Sequence, residues 1–90
     1  MEKTIAITIE GQVQGVFYRQ STFEKASSLG IRGFVRNMPD ESVFILATGR
    51  SEQLEVLVEW CKKGPPRAKV QAVHVSDKVL VHFSGFTIQR

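Results

Sequence analysis

Between Lys3 and Gln12 the chain alternates, with Ile5, Ile7 and Ile9 set against Thr4, Ala6 and Thr8. A period of two sends the sets to opposite faces of an extended chain, so this run predicts a half-buried first strand. The spacing changes in STFEKASSLG, where Phe23, Ala26 and Leu29 recur at helical intervals. Ser21 and Glu24 stand at the separation of a capping box and Gly30 is a stop signal, which predicts a first helix capped by Ser21. IRGFVRN and SVFILATG then form two β-rich runs around Met38, Pro39, Asp40 and Glu41, a hairpin whose second strand is apolar on both faces. In SEQLEVLVEWCKKGPP the stripe Leu54, Leu57, Val58 and Cys61 predicts a second helix with Ser51 as N-cap. Lys62 and Lys63 suit the negative end of its dipole, and Gly64 and Pro65 terminate it. Val70–Val75 reads as a fourth strand, and FTIQR adds a short edge strand. The order βαββαβ predicts an α+β sandwich, with an antiparallel sheet of four to five strands and both helices on one face.

The ninety residues are read as a single domain, 1–90, because a chain of this size buries only about 60 to 65% of its unfolded surface and has no room for a second core. A net charge of +3 favours anionic partners but is too small to indicate nucleic acid or a membrane. MEKTIAITIEG reads as a strand rather than a secretory signal, and no apolar run approaches the ~18 residues of a membrane span. Cys61 is the single cysteine and can form no intramolecular disulfide, which points to the cytoplasm.

Chemistry concentrates in GQVQGVFYRQS, Gly11 to Ser21. A glycine-containing turn leading into a helix start converges several N–H groups on one point, where the helix dipole adds positive character. Gly15 supplies the left-handed backbone, and Arg19 adds a planar fork that matches two phosphate oxygens. The loop lacks the Gly-Lys-Ser/Thr ending of a nucleotide P-loop and the dinucleotide spacing, so a small phosphate group fits it better than a nucleotide. Phosphocysteine-forming phosphatases carry their nucleophile six positions before the arginine, and Val13 holds none here. Any hydrolysis therefore uses water. Asn37, at the end of the second strand, would stand beside the first strand's exit if the two strands are neighbours. An amide can orient water but is a weak base, so the leaving group has to be good, as in a mixed anhydride of phosphate and a carboxylic acid.

These stretches resemble the acylphosphatase family. GQVQGVFYR is similar to its first signature, GFVRN with SVFILATG to its second, and WCKKGPPRAKV to the segment after its second helix, with a weaker echo in FSGFTI. The resemblance implies a ferredoxin-like sandwich that hydrolyses the carboxyl–phosphate bond of small acyl phosphates without a metal or other cofactor; a monomer is expected. It assigns phosphate binding to Arg19, water orientation to Asn37, and a phosphate cradle to Gln14, Gly15, Val16, Phe17, Tyr18 and Arg19. The likeness departs at Glu41, four positions after Asn37, where the family usually has glycine. A left-handed backbone there would cost Glu41 about 1 kcal/mol or more.

The remaining residues have plainer readings. Cys61 is a small core residue on the helical stripe, Trp60 packs, and Lys62, Lys63, Arg67 and Lys69 form a solvated basic run. His74 and His82 lack further ligands at metal spacing. A competing class is a single-strand RNA-binding module, with IRGFVRN as its aromatic strand and Phe34 and Phe44 on an open sheet face. That signature sits on the wrong strand and lacks its later aromatic, so no nucleic-acid partner is expected. A small-ligand regulatory module, or a domain split from a larger maturation enzyme, is a third class, but it gives no reason for Arg19 together with Asn37.

Overall fold

A computed structural model describes residues 1–90. The alternating run becomes β1 (Glu2–Gln12), with Ile5, Ile7 and Ile9 buried on the face that meets the helices. The opposite face is less open than a half-buried strand predicts, since Thr4 and Ala6 are buried too. The chain after residue 78 crosses that face. Thr4 Oγ1 accepts the Val81 N–H at 2.9 Å, while the Thr48 hydroxyl, 2.6 Å from that of Thr4, donates to the Val81 carbonyl at 2.7 Å.

The first helix, α1 (Tyr18–Ser28), begins four residues before the start expected from a Ser21 cap. Phe17 is its N-cap in a left-handed conformation, so the chain enters the helix early and Ser21 lies inside the first turn, where its N–H donates to the Phe17 carbonyl at 3.0 Å. The Ser21–Glu24 capping box does not form; Glu24 instead accepts from Gln20 at 3.1 Å. Tyr18, Thr22 and Ala26 are buried, and Phe23 and Leu29 pack at the margin of the core.

The hairpin is β2 (Arg32–Asn37) and β3 (Val43–Arg50), and β3 runs straight into α2 (Ser51–Cys61). Arg50 is still extended, which makes it the N-cap in place of Ser51, and its N–H is satisfied by the Gln53 side chain at 3.0 Å. Leu54, Leu57 and Cys61 are buried as their stripe requires. β4 (Lys69–Lys78) and β5 (Phe86–Gln89) complete a five-stranded sheet in the order β4-β1-β3-β2-β5. The first four strands are antiparallel to their neighbours, but β5 pairs parallel with β2, so the sheet is mixed rather than antiparallel throughout. Connectivity is the cause: β4 ends where β2 begins, the chain crosses the sheet at that end, and the next strand has to run the way β2 runs.

α1 lies over β2 and β5, and α2 over β1, β3 and β4, giving the ferredoxin-like α+β arrangement. Ile7, Ile9, Val35, Ile45 and Leu57 form its fully buried centre, each contributing about 1.5 to 3 kcal/mol by leaving water. On the other face Phe34 and Phe44 do face outward, but they pack on one another and under Arg36, and Phe34 also meets Phe83 of the crossing segment edge-on.

Candidate active site

β1 and β2 run in the same direction on either side of β3, so their ends emerge at one end of the sheet without being neighbours. The expectation that Asn37 stands directly beside the exit of β1 is corrected accordingly. Gln14 bridges the gap: its side-chain amide donates to the Met38 carbonyl at 3.0 Å and to the Ser42 carbonyl at 2.9 Å, tying the loop after β1 to the turn that follows Asn37.

That loop runs from Val13 to Phe17. Gly15 has φ 75 with nothing within 4 Å of where a Cβ would stand, so its glycine answers a backbone need and not a steric one. Phe17 occupies the same region at φ 66 and carries a strain of about 1 kcal/mol or more. These two turns leave the N–H groups from Gln14 to Gln20 without backbone acceptors, the last three being the free donors of a helix start. Successive free amides at a helix N-terminus favour an anion.

Tyr18 fixes this turn on the core. Its hydroxyl donates to the Cys61 carbonyl at 2.7 Å, its ring tilts against Trp60 with centroids 5.5 Å apart, and its own carbonyl accepts from the Thr22 hydroxyl at 2.8 Å. Burial raises the phenol pKa well above its ordinary value, which keeps it a neutral donor. Gly64 makes room for the ring, because a Cβ at that position would lie 2.6 Å from Tyr18 Cε2. Cys61 is fully buried beside it, with burial pushing its thiol up to about 12, so it is neither a nucleophile nor a thiolate ligand.

Arg19 projects from the first turn of α1. One guanidinium nitrogen donates to the Gln89 carbonyl of β5 at 3.1 Å, and no carboxylate lies within ion-pair distance, so its charge is held in place without being neutralised. Asn37 closes β2, and its Oδ1 is buried with no hydrogen-bond partner in the protein. Buried acceptors are nearly always satisfied, so this unpaired one is an exception that calls for an explanation. Arg19 and Asn37 line one concavity of ≈ 250 Å³ together with Gly15, Phe17 and Tyr18.

Of the other loop residues, Gln14 and Val16 line the adjoining depression instead, Gln14 through the bridge just described and Val16 against the core. Val13, Gln20, Ile88 and Arg90 complete the concavity, and sequence reasoning gave none of them a place in the site. Ile88 and Arg90 arrive only because β5 pairs with β2, for which the sequence carries no local signal. Glu41 is left-handed at φ 75. Its N–H donates to the Met38 carbonyl at 3.0 Å, and Met38 N–H bonds Ser42 at 2.9 Å, the bonding of a tight turn with Pro39 second and a left-handed residue fourth. The Glu41 side chain lines the depressions around Gln12 rather than the one holding Arg19. His74 lies 3.4 Å from Glu10 on the surface, and His, Cys, Asp and Glu residues nowhere gather in threes.

The chain as a whole is similar to known proteins. The family model described as Acylphosphatase matches residues 5–88. A protein named Acylphosphatase from Acaryochloris marina is 50% identical over 82 residues, covering 91% of this chain and 88% of that one. Another of that name from Methylococcus capsulatus is 40% identical over 89 residues, covering 98% and 97%. Among solved structures, an acylphosphatase from Coxiella burnetii superposes with a TM-score of 0.95 at 36% identity, covering 98% of this chain and 93% of that one.

Proposed function

This chain belongs to the acylphosphatase family and hydrolyses acyl phosphates, and we propose that Arg19, Asn37 and the free amides of the loop carry out that reaction. In this reading the phosphate sits in the cradle, with its charge met by the amides from Gly15 to Arg19 and by the forked guanidinium. The Asn37 amide holds a water for in-line attack at phosphorus. The new bond joins the water oxygen to phosphorus, and the bond from phosphorus to the carboxylate oxygen breaks with its electron pair leaving on the carboxylate. Both water hydrogens end on the product phosphate.

The observation that carries the assignment is the buried, unpartnered Asn37 Oδ1 in the same concavity as an unneutralised Arg19. A weak base suffices because a carboxylate leaves readily. Arg19 and the amides supply the positive charge that a metal would otherwise bring, so turnover is expected in excess chelator. The site is assembled within one chain, which favours a monomer, and the same reading treats residues 1–90 as one domain. The unpaired, buried Cys61 fits a cytoplasmic protein, and no helix is long and apolar enough to cross a membrane.

Release of benzoate and phosphate from benzoyl phosphate in excess EDTA tests this. Asn37→Ala is expected to slow turnover about a hundredfold or more while inhibition by inorganic phosphate stays near wild type. Arg19→Ala should weaken phosphate inhibition and slow turnover together. Wild-type rates in Asn37→Ala would remove its role, and activity lost to EDTA and restored by a divalent ion would remove the metal-free reading.

A further inference from the structure

Phe17 and Tyr18 are consecutive aromatics with opposite fates. Tyr18 is 1% exposed and Phe17 69%. The exposed ring also sits on a left-handed backbone, where a bulky residue is an outlier. A side chain that packs on little and strains its own backbone gives the fold little, and such positions gather where a site uses them. Four apolar residues line the concavity: Val13 and Tyr18 are buried, so Phe17 and Ile88 supply the apolar surface that a ligand reaches.

We propose that Phe17, backed by Ile88, is the acyl-recognition wall of the site, and that it favours acyl phosphates bearing a flat apolar group, aroyl phosphates above all, over acetyl phosphate. The inference rests on the cradle reading. With the phosphate fixed by the loop amides and Arg19, the acyl group extends away from them, and the ring borders that space. An aromatic acyl group stacks on it, offset or edge-on, whereas a methyl group covers only part of it.

The test compares kcat/KM for benzoyl phosphate with kcat/KM for acetyl phosphate in wild type, Phe17→Ala, Phe17→Asn and Phe17→Tyr. Asparagine tolerates left-handed backbone and guards against a folding defect in the alanine variant. Both substrates use the same cradle, so any loop movement affects both and cancels in the ratio. The benzoyl to acetyl ratio is expected to fall about tenfold in the alanine and asparagine variants, mainly through KM for benzoyl phosphate, and to hold in the tyrosine variant. An unchanged ratio in the alanine and asparagine variants overturns the proposal. Inhibition by inorganic phosphate in Arg19→Ala separates the two readings: if it weakens while the Phe17 ratio is unchanged, only the acyl wall fails, and if it does not weaken, the cradle and the wall resting on it both fail.

Discussion

Replacing Glu41 with glycine should stabilise the protein, and the size of the gain follows from the turn. Glu41 is held at φ 75 between two backbone bonds, its own N–H to Met38 and that of Met38 to Ser42, so it cannot relax out of the left-handed region without breaking the hairpin. That conformation costs an L-residue about 1 to 2 kcal/mol. Glycine avoids the cost but gives up about 0.5 to 1 kcal/mol of unfolded-state entropy, leaving a net gain of about 0.75 kcal/mol at the middle of both ranges. In a domain of this length each kcal/mol moves Tm by about 4 to 8 °C, so Glu41→Gly should raise it by about 3 to 6 °C. Charge is the rival cause, because Glu41 shares its depression with Glu10 and Asp40. Glu41→Gln keeps the side-chain length and the φ while removing the charge, and exposed changes of that kind stay within about 0.5 kcal/mol. Thermal unfolding of the three proteins decides the matter. If the glutamine variant gains as much as the glycine variant, the backbone argument is wrong.

Gln14→Leu removes both bonds that tie the phosphate loop to the turn after Asn37, and should lower kcat about tenfold with a smaller change in phosphate inhibition; steady-state kinetics with phosphate as inhibitor reads this, and equal loss of both would show a general loosening instead. Alkaline pH should destabilise the fold through Cys61, whose buried thiol is raised from 9.0 to about 12. An acid held neutral by burial contributes stability that is complete below its unfolded pKa and is lost as pH rises through the folded one, so Tm should fall between about pH 9 and pH 12 and fall less in Cys61→Ala. Equal slopes in the two proteins would clear the thiol of that role.

The elements were readable where one physical cause acts locally. Alternation identified β1, and the stripe through Leu54, Leu57 and Cys61 identified α2, because burial of a single face sets each period. The caps were not readable. Ser21 and Ser51 have the right chemistry, but the chain enters α1 through the left-handed Phe17 and enters α2 directly from β3, so Phe17 and Arg50 hold the cap positions. The direction of β5 was hidden for a different reason: four residues carry no mark of parallel pairing, and the sense is imposed by where β4 ends. The crossing segment that β5 requires also bonds to Thr4 and covers it, on a face that alternation alone left open.

The site divides along the same line. Gly15, Arg19 and Asn37 could be singled out because each has a chemical specialty that a sequence displays: a permissive backbone, a guanidinium fork and an amide at a strand end. Phe17, Gln14 and Ile88 have ordinary side chains whose roles come from position, and only the assembled fold gives them that position. The third stretch of the family resemblance becomes intelligible on this view. WCKKGPP reads locally as no more than a helix stop, yet Cys61 supplies the carbonyl that holds the Tyr18 hydroxyl, and Gly64 leaves the space that the Tyr18 ring fills. Tyr18 in turn is the first residue of α1, so the end of one helix fixes the N-terminus of the other, where the free amides lie. A side chain at position 64 would therefore push on the proposed phosphate cradle through that ring, although Gly64 itself does not line the concavity.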